Sequence, residues 1–150
     1  PDDRIIIHGL SMGGGIALDL TDKDMKNVKG IISDAPSVSI KGFFENISRE
    51  VFKKNSEKIA FHAITKFEKE FNTDINEFEC VDIVSRSKYP ILLSAGSNEN
   101  MEELFEEIKN ANPNMTDIII LSGCNHGNGM YKQTELYQKA IREFIDKVLT

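Results

Sequence analysis

The sequence predicts an α/β protein built on a doubly wound, mostly parallel sheet, and three observations carry that prediction. Four short runs are apolar at nearly every position, the pattern of strands covered on both faces. Helical patterns over Met12 to Leu20, Met101 to Ala111 and Tyr131 to Leu149 separate them, and that alternation of strand and helix defines the class. The chain has 150 residues, 40% of them hydrophobic, enough for one compact domain with a core of its own.

The first run, Arg4-Ile-Ile-Ile-His8, is β-branched and ends at Gly9, where the helical pattern from Met12 takes over, so it reads as strand, tight turn, helix. Val28 to Ala35 is the second, stopped by Asp34-Ala35-Pro36. Tyr89 to Gly96 is the third, with Pro90 at the strand start, where a missing N–H is tolerated. Asp117 to Leu121 is the fourth. Between the second and third lies an interruption from Ser37 to Lys88, reading as two or three amphipathic helices with Phe43, Phe44, Phe52, Phe61, Phe67, Phe71 and Phe78 among many Lys and Glu. Most of these rings are expected to pack the helices onto the sheet. The position of the insertion also suits a cap over a pocket that a few of them line.

A formal charge of -6 and a pI near 5.1 leave no basic stripe to neutralise phosphates, which argues against a nucleic-acid partner and suits a small neutral substrate. Cys80 and Cys124 stand far apart, without CxxC or Cys/His ligand spacing. A disulfide framework and a structural zinc are therefore both disfavoured, and the two are read as buried thiols. No apolar run approaches the roughly 20 residues that cross a bilayer. A strand begins within three residues of Pro1, so any targeting signal or leading domain lies outside this sequence, and a cytoplasmic location is the working expectation.

Gly9-Leu10-Ser11-Met12-Gly13 matches G-x-S-x-G, and it follows a buried strand and precedes a helix, the context that gives the pattern meaning. A serine there occupies a strained turn, so glycines two before and two after are expected to avoid collision with strand and helix. Ser11 is then a candidate nucleophile, and the N–H of Met12 with the positive end of the helix dipole a candidate oxyanion donor. The bland alternative is a serine that caps a helix or cradles a phosphate. Neither G-x-G-x-x-G nor a P-loop Lys-Ser/Thr is present.

His8-Gly-Leu-Ser-Met-Gly-Gly14, Tyr89-Pro-Ile-Leu-Leu-Ser-Ala-Gly-Ser-Asn-Glu99 and Gly123-Cys-Asn-His-Gly127 resemble three signature segments of the α/β-hydrolase superfamily, in the family's chain order. The resemblance is nearest to bacterial esterase-like members with a helical cap between strands six and seven. It implies that residues 1–150 form strands five to eight of that fold, with a helical cap over about 37–88. It also implies a triad of Ser11, Glu99 and His126, because relatives place the acid three residues past the strand-ending glycine and the base in a Gly-x-x-His-Gly loop. The implied activity is that of a serine esterase acting on a small or medium carboxylic ester through an acyl-enzyme, with no metal or organic cofactor.

The spacing agrees, since Glu99 and His126 leave room between them for one helix and one strand, so both emerge at the same sheet edge as Ser11, where sites form in such folds. Two features depart from the family: the acid is Glu rather than the commoner Asp, and the loop after it is short. Asp34, at the end of the second strand, is the rival acid. His8 and His62 are read as structural or surface residues.

The family's first four strands have no counterpart here. Arg4 to His8 is therefore expected to need a neighbour, either the N-terminal half of the same fold or a dimer partner, and the second oxyanion donor is expected from that half. A peptidase or thioesterase would use the same triad. A catalytically impaired domain retained for binding or scaffolding is the non-enzymatic alternative.

Overall fold

The computed structural model describes residues 4–150, apart from the side chains of Glu77 and Phe78, and it divides into two compact units. The chain up to Pro36 joins Cys80–Thr150 in one, and Ser37–Glu79 forms the other. The first unit holds four strands, β1 (Ile5–Leu10), β2 (Val28–Asp34), β3 (Ile91–Gly96) and β4 (Thr116–Leu121). They lie in the order β1-β2-β3-β4, and every described pairing is parallel. The helices in chain order are α1 (Met12–Asp19), α2 (Ile40–Phe52), α3 (Ser56–Phe71), α4 (Cys80–Ser85), α5 (Glu102–Ala111), α6 (Gly129–Lys132) and α7 (Thr134–Leu149).

Alternation along each strand sends neighbours to opposite faces. On one face Ile31 packs with Ala17 of α1 and Val28, with Ile7, Met25 and Tyr89 around them. On the other, Ile32 and Leu92 meet Phe144 of α7, with Ile6, Ile119, Ile141 and Val148 at the margin. The α7 helix sits so close to β2 that a Cβ on Gly30 would lie 3.0 Å from the Phe144 ring. Cys80 and Cys124 are both buried and form no disulfide.

Only the two central strands have the two-sided burial that the apolar runs predict. The β3 strand is buried throughout and β2 at all but one position, whereas β1 alternates between exposed and half-buried and the middle of β4 is half-buried. Topology explains this, because β1 and β4 are the outer strands of the described sheet. Ile5 and Leu10 are 47% and 44% exposed on β1. The long helix expected over Tyr131 to Leu149 is two helices with a break at Gln133. There the Thr134 hydroxyl faces the carbonyl oxygens of Met130 and Tyr131, at 2.9 and 3.1 Å, competing with the backbone ladder.

The insertion expected over 37–88 also divides. The α4 helix belongs to the sheet unit, packing against α1 and α5, so the separate unit ends at Glu79. Within that unit α2 and α3 form a helical pair followed by a 3₁₀ turn over Ile75–Phe78. An antiparallel bridge between Ser39 and Glu79 joins its two ends. Ser39 also caps α2, accepting the Gly42 N–H at 3.2 Å while donating to Glu79 Oε1 at 3.1 Å. An aromatic pair joins helix to helix, Phe44 of α2 meeting Phe67 of α3 edge-on at 5.8 Å, and Phe67 lies 4.8 Å from Phe71 on its own helix. Phe43, Phe52, Phe61 and Phe71 are largely exposed, and the side chain of Phe78 lies outside the described residues.

Candidate active site

Ser11 sits between β1 and α1 with φ 56° and ψ -119°, a left-handed conformation that a residue with a Cβ adopts only under constraint. The constraint is visible on both sides: its N–H donates to the Asp34 carbonyl at 2.8 Å, and its carbonyl accepts the Gly15 N–H at 3.1 Å. Gly9 is required, since a Cβ there would lie 2.1 Å from the Gly13 carbonyl oxygen. For Gly13 no such collision is seen, in contrast to the expectation from the motif: a Cβ there meets nothing within 4 Å among the described residues outside its own helix turn. The close approach at this turn concerns the backbone of Gly13 instead. Gly14 is tight as well, 3.0 Å from the Ser33 hydroxyl.

The Ser11 side chain makes no capping bond to α1, which removes the helix-cap reading. Its Oγ lies 2.9 Å from His126 Nε2, and the opposite ring nitrogen, Nδ1, lies 2.6 Å from Glu99 Oε2. The second Glu99 oxygen accepts the Gly96 N–H at 2.8 Å, so the carboxylate is oriented from its own loop. Hydroxyl, imidazole and carboxylate thus form one hydrogen-bonded line, drawn from turns after β1, β3 and β4. The Glu99 side chain is 12% exposed and that of His126 57%. Met12 is the first residue of α1, so its N–H stands ahead of the intrahelical hydrogen-bond ladder.

The loops carrying Glu99 and His126 are stitched together. Asn98 N–H donates to the Cys124 carbonyl at 3.0 Å, Asn98 Nδ2 to Asn125 Oδ1 at 2.8 Å, and Gly123 N–H to the Ser97 hydroxyl at 3.0 Å. Gly96 permits the approach, as a Cβ there would lie 2.3 Å from the Cys124 carbonyl oxygen. Gly127 turns the chain at φ 66°. The two asparagines were not singled out by sequence reading, although each immediately precedes a member of the line, Asn98 before Glu99 and Asn125 before His126.

Asp34, the rival acid, faces other partners. Its Oδ1 accepts from Ser94 Oγ at 2.6 Å and its Oδ2 from the Tyr137 hydroxyl at 3.0 Å, while both His126 ring nitrogens are engaged elsewhere. Burial, then the Asp34 charge and hydrogen bond, push the Tyr137 hydroxyl well above the ordinary tyrosine range. His8 Nε2 lies 3.2 Å from that hydroxyl, and His62 is exposed on α3. Among the described residues no group of three or more His, Cys, Asp or Glu is arranged to hold a metal ion, and no helix is long and apolar enough to cross a membrane.

Solved structures share this architecture. An esterase from Pyrococcus furiosus superposes with a TM-score of 0.68 at 20% identity, over 99% of this chain and 55% of its own. An α/β-hydrolase enzyme from the metagenome of lagoon sediments at Mar Chica, Morocco, gives 0.63 at 22%, over 97% and 63%. An acylaminoacyl peptidase from Pyrococcus horikoshii gives 0.67 at 15%, over 99% and 24%. No family model matches the chain, and no curated protein sequence is similar to it. The fold is that of an α/β-hydrolase, and the chain spans about 55 to 63% of the length of the first two of these structures.

Proposed function

We propose that the protein is a serine hydrolase that cleaves carboxylic esters through an acyl-enzyme on Ser11. The observation that carries this reading is the unbroken line from Ser11 Oγ through the His126 ring to Glu99, with a strained serine at its head. In this reaction Oγ attacks the ester carbonyl carbon while His126 Nε2 takes its proton, and Glu99 steadies the imidazolium that forms. The negative oxygen of the tetrahedral intermediate is met by the Met12 N–H and the positive end of α1. Collapse expels the alcohol with the proton from His126. Water, activated by the same imidazole, then releases the acid and restores Ser11. Similarity to esterases supports an ester substrate, while similarity to an acylaminoacyl peptidase supports an amide as the second reading, since both bonds yield to the same groups. A thioester would yield in the same way.

We further infer that the sheet unit is the C-terminal part of one hydrolase domain, with Ser37–Glu79 as its cap. The N-terminal half of that domain, or a dimer partner, would cover β1, and the second oxyanion donor would come from that half. The exposed edge at Ile5 and Leu10 supports this.

The test is to treat the full-length protein with a fluorophosphonate probe and to follow p-nitrophenyl ester hydrolysis. Labelling that disappears in Ser11→Ala is expected, with hydrolysis falling by about 10³-fold or more. Persistent labelling of the variant would remove Ser11 from the chemistry.

A further inference from the structure

We infer that Asp34 is a positioning residue for Ser11, acting through its own backbone carbonyl and not as an acid on His126. This rests on the serine-hydrolase reading above. Asp34 is the point where the serine turn is held, because its carbonyl accepts the Ser11 N–H at 2.8 Å. The strained φ and ψ at Ser11 persist only where the surroundings over-determine them. Relaxation at the end of β2 would therefore release the hydroxyl from its 2.9 Å contact with His126.

The end of β2 is itself a place prone to relax. Ala35, immediately after Asp34, has φ 44°, unfavourable for any residue with a Cβ, and Pro36 follows. Two strained residues, Ser11 and Ala35, thus flank one carbonyl. The Asp34 side chain opposes that relaxation by tying the strand end to two other elements. Ser94, opposite Asp34 in the register of β3, donates to Oδ1 at 2.6 Å, and Tyr137 of α7 donates to Oδ2 at 3.0 Å. The Ser94 carbonyl adds a bond to the Ala35 N–H at 2.7 Å. Since the Tyr137 proton points to Asp34, its oxygen is left to accept from His8, so His8 Nε2 carries the proton across the 3.2 Å contact. That line returns to β1, three residues before Ser11. Asp34 is 5% exposed and Ser94 1%. A carboxylate buried at such cost, with two hydroxyl donors on it, is an anchor whose geometry the neighbours cannot easily alter.

The experiment compares Asp34→Asn, Tyr137→Phe and Ser11→Ala in the full-length protein, measuring fluorophosphonate labelling rate, kcat and KM on a p-nitrophenyl ester, the pH profile and circular dichroism. Asp34→Asn keeps the shape but forces one hydroxyl to lose its acceptor. It is expected to lower kcat and the labelling rate by about 10- to 100-fold with KM little changed, as a misplaced nucleophile does. Tyr137→Phe, which leaves the Ser94 bond in place, is expected to lower them about threefold or more. In both variants the plateau of the pH profile falls while its midpoint stays, because His126 and Glu99 are untouched. Wild-type rates in a folded Asp34→Asn overturn the inference, and so does a shifted midpoint, which would make Asp34 an acid acting on His126. Should Asp34→Asn fail to fold, a wild-type rate in Tyr137→Phe overturns it equally. Labelling that persists in Ser11→Ala sinks the parent reading instead, and with it any role for Asp34 in placing a nucleophile.

Discussion

At the scale of single residues, the serine turn shows that motif letters and steric necessity are different things. Gly9 and Gly13 occupy symmetric places in G-x-S-x-G, yet among the described residues a methyl group would collide at Gly9 and not at Gly13. The two therefore make a matched test. Gly9→Ala is expected to destabilise the protein by roughly 1–3 kcal/mol, as overpacking does, and to abolish probe labelling. Gly13→Ala, within the first turn of α1, is expected to leave labelling intact and to raise stability by up to about 1 kcal/mol, because alanine is the better helix former. Thermal or denaturant unfolding with a labelling assay checks both, and equal losses in the two variants would contradict the packing account. That Ser11, Glu99 and His126 would meet at one sheet edge was readable in the sequence because each follows a strand. The fate of Asp34 was not readable, because Ser94 and Tyr137, the residues that occupy its carboxylate, lie 60 and 103 positions away along the chain.

At the scale of elements, the strands were legible to within one or two residues, since β-branched runs have few other uses. Helix breaks were less so. Nothing in the periodicity of 131–149 marks Gln133, because the break depends on the Thr134 hydroxyl and on a bond from Gln133 Nε2 to the Ser122 carbonyl at 3.1 Å. The phenylalanines show a related limit: an apolar stripe reports that a helix packs, not what it packs against. In the Ser37–Glu79 unit, α2 and α3 pack on each other through Phe44 and Phe67. The unit's closure rests on Ser39, which caps α2 and bonds Glu79 at once. Ser39→Ala is expected to cost about 1 kcal/mol, with greater amide exchange in the first turn of α2 and little change in the sheet. Hydrogen exchange resolved by segment checks this, and uniform loosening of both units would contradict it.

At the scale of the whole molecule, the order β1-β2-β3-β4 leaves β1 with a partner on one side only among the described residues. An outer strand carrying exposed isoleucine and leucine and no lysine or proline invites pairing with another chain. This chain expressed alone is expected to self-associate. On the proposal that an N-terminal half supplies the second oxyanion donor, it is also expected to hydrolyse esters about 10²- to 10³-fold more slowly than a longer chain that includes that half. Light scattering and ester turnover measured side by side check both, and equal behaviour would show that β1 needs no neighbour.

The three backbone and side-chain links between the Glu99 and His126 loops imply an asymmetry in how the site comes apart. Acid and base share one clasp and travel as a pair, whereas the serine meets that pair through a single 2.9 Å contact from a different strand. On the proposed serine-hydrolase reading, gentle denaturant should accordingly silence ester hydrolysis while imidazole and carboxylate still hold each other. The seat of Ser11, rather than the Glu99–His126 pair behind it, is then expected to set the ceiling on working temperature.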